Sequence, residues 1–147
     1  MIEVNTNFII ATVVLTIEVI LVCALLMARY GARRLNLKIH HGVVYSITII
    51  NGFIIVFWMG QRALRFLPRQ LERFPDSFMF FTHVVLGLTT MTLALGLTSL
   101  YLVKVVKKET IPLPLIRRTK PIMITTAILW ILTFIVGVIN YLNARIL

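Results

Sequence analysis

The chain alternates between four long apolar stretches and shorter segments that hold most of its charged residues. The apolar stretches cover residues 8–27, 43–60, 78–103 and 121–142. A helix needs about 20 predominantly apolar residues to cross the hydrocarbon core of a bilayer. The stretches also lack the alternation of apolar and polar residues that marks a membrane β-strand. The pattern therefore predicts an all-α fold, a single-domain integral membrane four-helix bundle.

Composition supports this class. Hydrophobic residues make up 59% of the 147-residue chain and charged residues only 14%, whereas a soluble domain has about 25% charged residues. The single Cys23 excludes an internal disulfide and a cysteine-cluster zinc site. A net charge of +10 would indicate nucleic acid in a soluble protein, but here the basic residues lie between apolar stretches. We therefore expect a multi-pass protein of the cell membrane, with lipid and a membrane protein as partners and no nucleic acid.

The basic residues also predict the direction of insertion. Segments 28–42 and 104–120 contain four and six Lys or Arg residues, against five on the opposite side. Because cytoplasmic loops carry the excess of Lys and Arg, both termini are expected outside (N-out/C-out). Residues 1–7 contain Glu3 and no basic residue, unlike the start of a signal peptide, so the first span is expected to be retained.

The segment between the second and third spans, residues 61–77, has a helical charge pattern. Arg62, Arg65, Arg69 and Glu72 follow one another at steps of three or four residues, which places them on one face of a helix. Two interpretations stand: an amphipathic helix on the outer leaflet, or a solvated basic loop that contacts lipid headgroups. Pro68 predicts a kink or a restart in any helix here.

Glu18 is an ionisable residue about 15 Å into the first span. Such residues are costly in a bilayer and are functional candidates by default. Asn51 is the polar residue expected nearest to its depth, in the second span. Either a protonated Glu18 bonds to Asn51 or to a threonine and holds the helices together, or Glu18 binds a proton or a ligand.

The histidines form a second group of candidates, because imidazole is a common metal ligand and an axial ligand of haem iron. His40 and His41 begin the second span, and His83 lies about 8–9 Å below the outer surface. The alternatives are interfacial histidines that face headgroups and a buried His83 bonded to a carbonyl. Antiparallel spans place His41 and His83 about 20 Å or more apart in depth, so the two cannot clamp one haem.

Several motifs together resemble a known family. They are His41 at the start of the second span, Arg62 at its end, His83 in a Phe-Phe-Thr-His sequence, the basic segment 117–121, Trp130 and the segment 137–141. On these motifs, residues 38–142 resemble the four-helix membrane family known as domain of unknown function 420. That family includes a bacterial factor needed to mature haem–copper cytochrome oxidase.

The resemblance implies a non-enzymatic accessory or assembly factor of a respiratory oxidase, without catalytic residues. It implies cofactor contact, with haem b as the candidate, through His83 and His41, and an arginine, Arg62, that pairs with the haem propionates. The chain departs from the family at residues 117–120, where members carry a further histidine and this sequence has none. His41 therefore lacks an obvious second ligand, since His40 points about 100° away on a helix. The pair His83 and Arg62 is not affected.

Two other functions fit the same residues. The small residues of the third and fourth spans would suit a structural subunit of a larger membrane enzyme complex. The segment 17–20 around Glu18 is similar to that of small multidrug exporters, which would suit a proton-coupled transporter. No phosphate-binding loop, nucleophile elbow or HExxH motif occurs in the chain, and no enzymatic activity is expected.

Overall fold

The structure is a computed structural model that describes residues 2–33, 37–74, 76–107 and 112–146. Its elements are α1 (Ile2–Arg33), α2 (Leu37–Ile54), a π-helical turn (Ile55–Met59), α3 (Gly60–Glu72), α4 (Phe78–Val106) and α5 (Leu113–Ile146). No strand occurs in the described ranges. Arg34 and Lys108, both counted for the direction of insertion, lie outside them.

Four helical stretches among the described residues are long and apolar enough to cross a membrane. They cover Ile9–Ala32, Ile39–Glu72, Phe78–Val106 and Pro114–Asn143. The predicted all-helical fold with four helices of membrane-spanning length is thereby confirmed, while the direction of insertion stays a prediction. The fourth helix begins at Leu113 rather than at Pro121, so about two helical turns, which include the basic residues of segment 117–120, precede the predicted apolar stretch.

The second helix does not end near Gly60 as predicted. It passes through the π-helical turn into α3 and includes Pro68. The Gly60 N–H donates to the carbonyl of Ile55, so the backbone stays hydrogen-bonded across the junction. Pro68 removes one backbone donor without ending the helix. The loop interpretation of this segment is therefore wrong over Gly60–Glu72, and its helicity is confirmed, while its position on the outer leaflet stays a prediction.

The helices pack as two pairs. α1 lies along α2 and α4 along α5, and contacts of α2 with α4 and of α1 with α5 join the pairs. Each of these four helices contributes one residue to the central cluster of Leu21, Ile47, Ala94 and Trp130. Large apolar side chains such as Ile20, which is 60% exposed, cover the outside. An apolar exterior is expected of a bundle whose solvent is lipid.

Candidate functional site

Two half-open cavities lie between the helices in the part of the chain that the structure describes, and both are lined by residues of α1, α2, α4 and α5. The His41 cavity, about 620 Å³, is formed where α1 and α4 end and where α2 and α5 begin. The His83 cavity, about 530 Å³, is formed by the opposite ends of these helices together with α3. Trp130 lines both. Both volumes fall in the range of about 300–1,000 Å³ that is typical of small-molecule and cofactor sites.

The His83 cavity unites four of the residues singled out in the sequence. Glu18, Asn51, Arg62 and His83 all line it, among mainly apolar and aromatic neighbours. His41 lines the other cavity. His41 and His83 lie in different cavities, as their predicted separation in depth requires. Glu18 and Asn51 line the same cavity, which agrees with the similar depth predicted for them.

The His83 imidazole is half-buried and packs against α5. Its Nδ1 lies 3.1 Å from the carbonyl oxygen of Thr133. A ring protonated at Nδ1 donates this hydrogen bond, which leaves a lone pair on Nε2. The expected carbonyl partner is therefore present. The same arrangement is found in metal-ligating histidines, where a backbone carbonyl orients the ring through its other nitrogen.

Gly137 allows this close approach of His83 to α5. A Cβ at position 137 would lie 2.9 Å from Cε1 of His83 and 3.3 Å from its Nδ1. Gly137 stands one helical turn after Thr133, so the missing side chain leaves the carbonyl of Thr133 open to a donor from α4. The glycine thus determines where the imidazole can sit.

Glu18 is half-buried, and the indole N–H of Trp130 donates a hydrogen bond to its side chain. Trp130 is a partner that the sequence analysis did not name for Glu18. Trp130 is only 4% exposed. A tryptophan in a bilayer needs an acceptor for its single donor, and the carboxyl group from the neighbouring helix supplies it.

Asn51 has an unsatisfied polar atom. Its side chain is 8% exposed, and its Oδ1 meets no hydrogen-bond partner among the described residues. A buried acceptor without a donor costs about 1–3 kcal/mol. Since Asn51 lines the His83 cavity, a bound molecule or water with a hydrogen-bond donor would remove this cost.

Arg62 reaches the cavity from α3. Its guanidinium lies 4.9 Å from the ring centre of Trp58 and 5.9 Å from that of Phe66, one turn before and one turn after it. Cation–π contacts of this kind hold a guanidinium in place. Arg65 and Arg69 share the predicted spacing but are exposed and do not line the cavity.

The π-helical turn helps to bring Arg62 to this position. A π turn adds about one residue to the helical repeat, which rotates the following helix by about 100°. Its residues Ile55, Trp58 and Met59 line the His83 cavity themselves. π-Helical turns within α-helices frequently occur at functional sites.

Aromatic contacts surround the histidines of the His41 cavity. Nδ1 of His40 lies 3.0 Å from the carbonyl oxygen of Ala28. The His41 ring stacks on Tyr45 with centroids 6.0 Å apart, and it lies 5.7 Å from Tyr101. The described residues contain no group of three His, Cys, Asp or Glu side chains that would hold a metal ion.

Sequence reasoning did not find the roles of Trp130, Thr133 and Gly137. The only local signal was the four-residue step from Thr133 to Gly137, which is typical of close helix packing. The partner of Thr133, His83, lies 50 residues earlier in the chain, on another helix.

Comparisons of the chain with models of known protein families, with curated proteins and with solved structures find no match.

Proposed function

We propose that the chain is a non-enzymatic multi-pass membrane protein that binds haem b in the His83 cavity and acts as an assembly factor or accessory subunit of a respiratory haem–copper oxidase. The observation that carries the haem assignment is the imidazole of His83, oriented through Nδ1 by the carbonyl of Thr133 within a largely apolar cavity. The link to an oxidase is supported by the family resemblance.

The residues of this cavity suit a haem. A porphyrin needs an apolar slot, an axial nitrogen and a cation for its propionates. The cavity of about 530 Å³ supplies the slot, Nε2 of His83 is the candidate ligand, and Arg62 is the cation. Haem would supply the redox-active iron. His83, Arg62 and the apolar walls would bind and orient it.

The first experiment is a reduced-minus-oxidised absorbance spectrum of the full chain in mild detergent, before and after addition of haemin. We expect a b-type band from the unaltered chain, and loss of the band in His83→Ala. His41→Ala is the matched control, because His41 lines the other cavity, and it should keep the band. No band after haemin addition, or equal loss in both variants, would contradict the haem assignment.

Arg62 tests the placement of the propionates. Arg62→Gln should weaken haem binding about tenfold, since it removes a charge-assisted hydrogen bond. Arg65→Gln removes the same charge from an exposed position on the same helix and should leave the affinity within about twofold. Equal effects would mean that general charge, rather than a placed guanidinium, attracts the haem.

The partner is tested separately by co-purification from native membranes. Haem–copper oxidase subunits should be recovered with the chain, and the amount recovered should fall in His83→Ala. Full recovery with every histidine replaced would instead favour a structural subunit of the complex.

A second candidate is proton-coupled transport, because Glu18 lines the same cavity as the unsatisfied Asn51. Proteoliposomes with a pH gradient and a fluorescent cationic dye would test it. Transport that is abolished by Glu18→Gln while the haem spectrum is retained would favour this function. No dye movement in the unaltered chain would exclude it for such substrates.

A further inference from the structure

The His41 cavity carries positive charge that the proposed haem site does not use. On its α1 side, Arg29 lines the cavity. Arg29 directly follows Ala28, whose carbonyl oxygen lies 3.0 Å from Nδ1 of His40. This contact places the backbone of α1 at Ala28 and Arg29 at the level of the histidines that begin α2, and the exposed Arg29 side chain lines the cavity there.

The α5 side of the cavity carries a second cation at that level. Lys120 lines the cavity and directly follows Thr119. The hydroxyl of Thr119 lies 2.5 Å from that of Tyr101, and the Tyr101 ring contacts His41. Through Thr119 and Tyr101, Lys120 therefore lies at the level of His41. Two cations therefore face one cavity from helices on different pairs.

Tyr45 adds an unused hydrogen-bond donor. Its hydroxyl oxygen is buried and meets no partner among the described residues, and the residue lines the His41 cavity. A phenol can donate to a phosphate or ester oxygen. A buried hydroxyl without a partner is costly, so a bound acceptor would stabilise this part of the protein.

The remaining wall of the His41 cavity is mainly apolar, with three threonines, and it reaches the outside of the bundle. Leu26 of α1 and Ile128 of α5 line the cavity, yet they are 52% and 51% exposed. The wall between α1 and α5 thus continues into the lipid-facing surface. A ligand with an anionic head and a long apolar chain matches both parts of this lining.

We infer that the His41 cavity binds one anionic membrane phospholipid. Its phosphate lies between Arg29 and Lys120, Tyr45 donates to a phosphate or ester oxygen, and an acyl chain follows Leu26 and Ile128. Basic pockets between transmembrane helices are a known mode of headgroup recognition. Free phosphate would leave the apolar lining unused, which is why the inference commits to a lipid. This site is separate from the proposed haem site.

The test is native mass spectrometry of the full chain released from nanodiscs of equimolar phosphatidylglycerol and phosphatidylcholine. We expect one retained phosphatidylglycerol per chain. Arg29→Gln and Lys120→Gln should each lower its retention about fivefold, the effect of removing one basic residue near an anionic headgroup. Tyr45→Phe, which keeps the ring, should lower it less.

Arg118→Gln is the matched control, because Arg118 lies two residues before Lys120, is exposed and does not line the cavity. It should leave retention unchanged. An equal loss in Arg118→Gln, or equal retention of phosphatidylcholine, would overturn the inference. Displacement of the lipid by millimolar inorganic phosphate would indicate a phosphate site and would also overturn it. The haem spectrum of the same variants should not change, so failure here is distinguishable from failure of the proposed function.

Discussion

Gly137→Ala is the substitution for which the structure gives the sharpest expectation. The new Cβ would lie 2.9 Å from Cε1 of His83, whereas carbon atoms pack at about 3.5–4.0 Å. The imidazole must therefore retreat by about 0.6–1 Å. Its Nδ1 already lies 3.1 Å from the carbonyl oxygen of Thr133, and a distance near 3.7 Å is no longer a hydrogen bond.

Three terms set the size of the effect. The lost hydrogen bond costs about 0.5–1.5 kcal/mol, and overpacking at a helix contact costs about 1–3 kcal/mol. Against these, alanine is favoured over glycine in a helix by about 1 kcal/mol. Gly137→Ala should therefore lower the free energy of unfolding by about 1–3 kcal/mol. Gly96→Ala is the matched control, because a Cβ there would meet nothing within 4 Å.

The assay is titration of the purified protein from mild detergent into a denaturing detergent, followed by tryptophan fluorescence. Gly96→Ala should be as stable as the unaltered chain or more stable by up to about 1 kcal/mol. The loss in Gly137→Ala should largely disappear when His83→Ala is added, since residues in contact are not additive. Equal stability of the two alanine variants, or a loss that persists without the imidazole, would refute the reasoning.

Four further substitutions test the packing by the same unfolding titration. Tyr101→Phe removes the hydroxyl that bonds to Thr119 and should cost about 1 kcal/mol; no change would mean that this contact does not hold α4 to α5. Gly60→Ala places a Cβ 2.8 Å from a backbone carbonyl oxygen and should cost about 1–3 kcal/mol. Gly52→Ala meets only the movable end of a methionine side chain and should cost less, so the reverse order would contradict the π-helical geometry. Leu21→Ala, in the central cluster, should cost about 2–5 kcal/mol, and a loss below about 1 kcal/mol would place Leu21 outside the core.

The four spans could be predicted from the sequence because the bilayer imposes a local rule. A backbone in lipid must satisfy its own hydrogen bonds, so length and hydropathy are enough to identify a spanning helix. Depth follows from counting residues at about 1.5 Å each. For this reason the shared level of Glu18 and Asn51, and the separation of His41 from His83, follow from the sequence alone.

The partners of these residues were decided by the tertiary structure. Which side chain meets Glu18 depends on how α5 is rotated against α1, and hydropathy is nearly uniform around both helices. Trp130 could therefore not be identified as its partner from the pattern alone. The contact of His83 with Gly137 likewise joins two helices whose sequences contain no signal for each other.

The boundary of the second helix shows the same division. The apolar stretch ends near Gly60, and the sequence by itself determined that a basic segment with a helical spacing of its charges follows. Only the structure decided that the backbone continues through a π-helical turn and that Arg62, which the family resemblance had singled out, lines the cavity while Arg65 and Arg69 do not. The physical reason is that one added residue in a helical repeat turns every later side chain by about 100°. The spacing of the arginines in the sequence does not reveal this rotation.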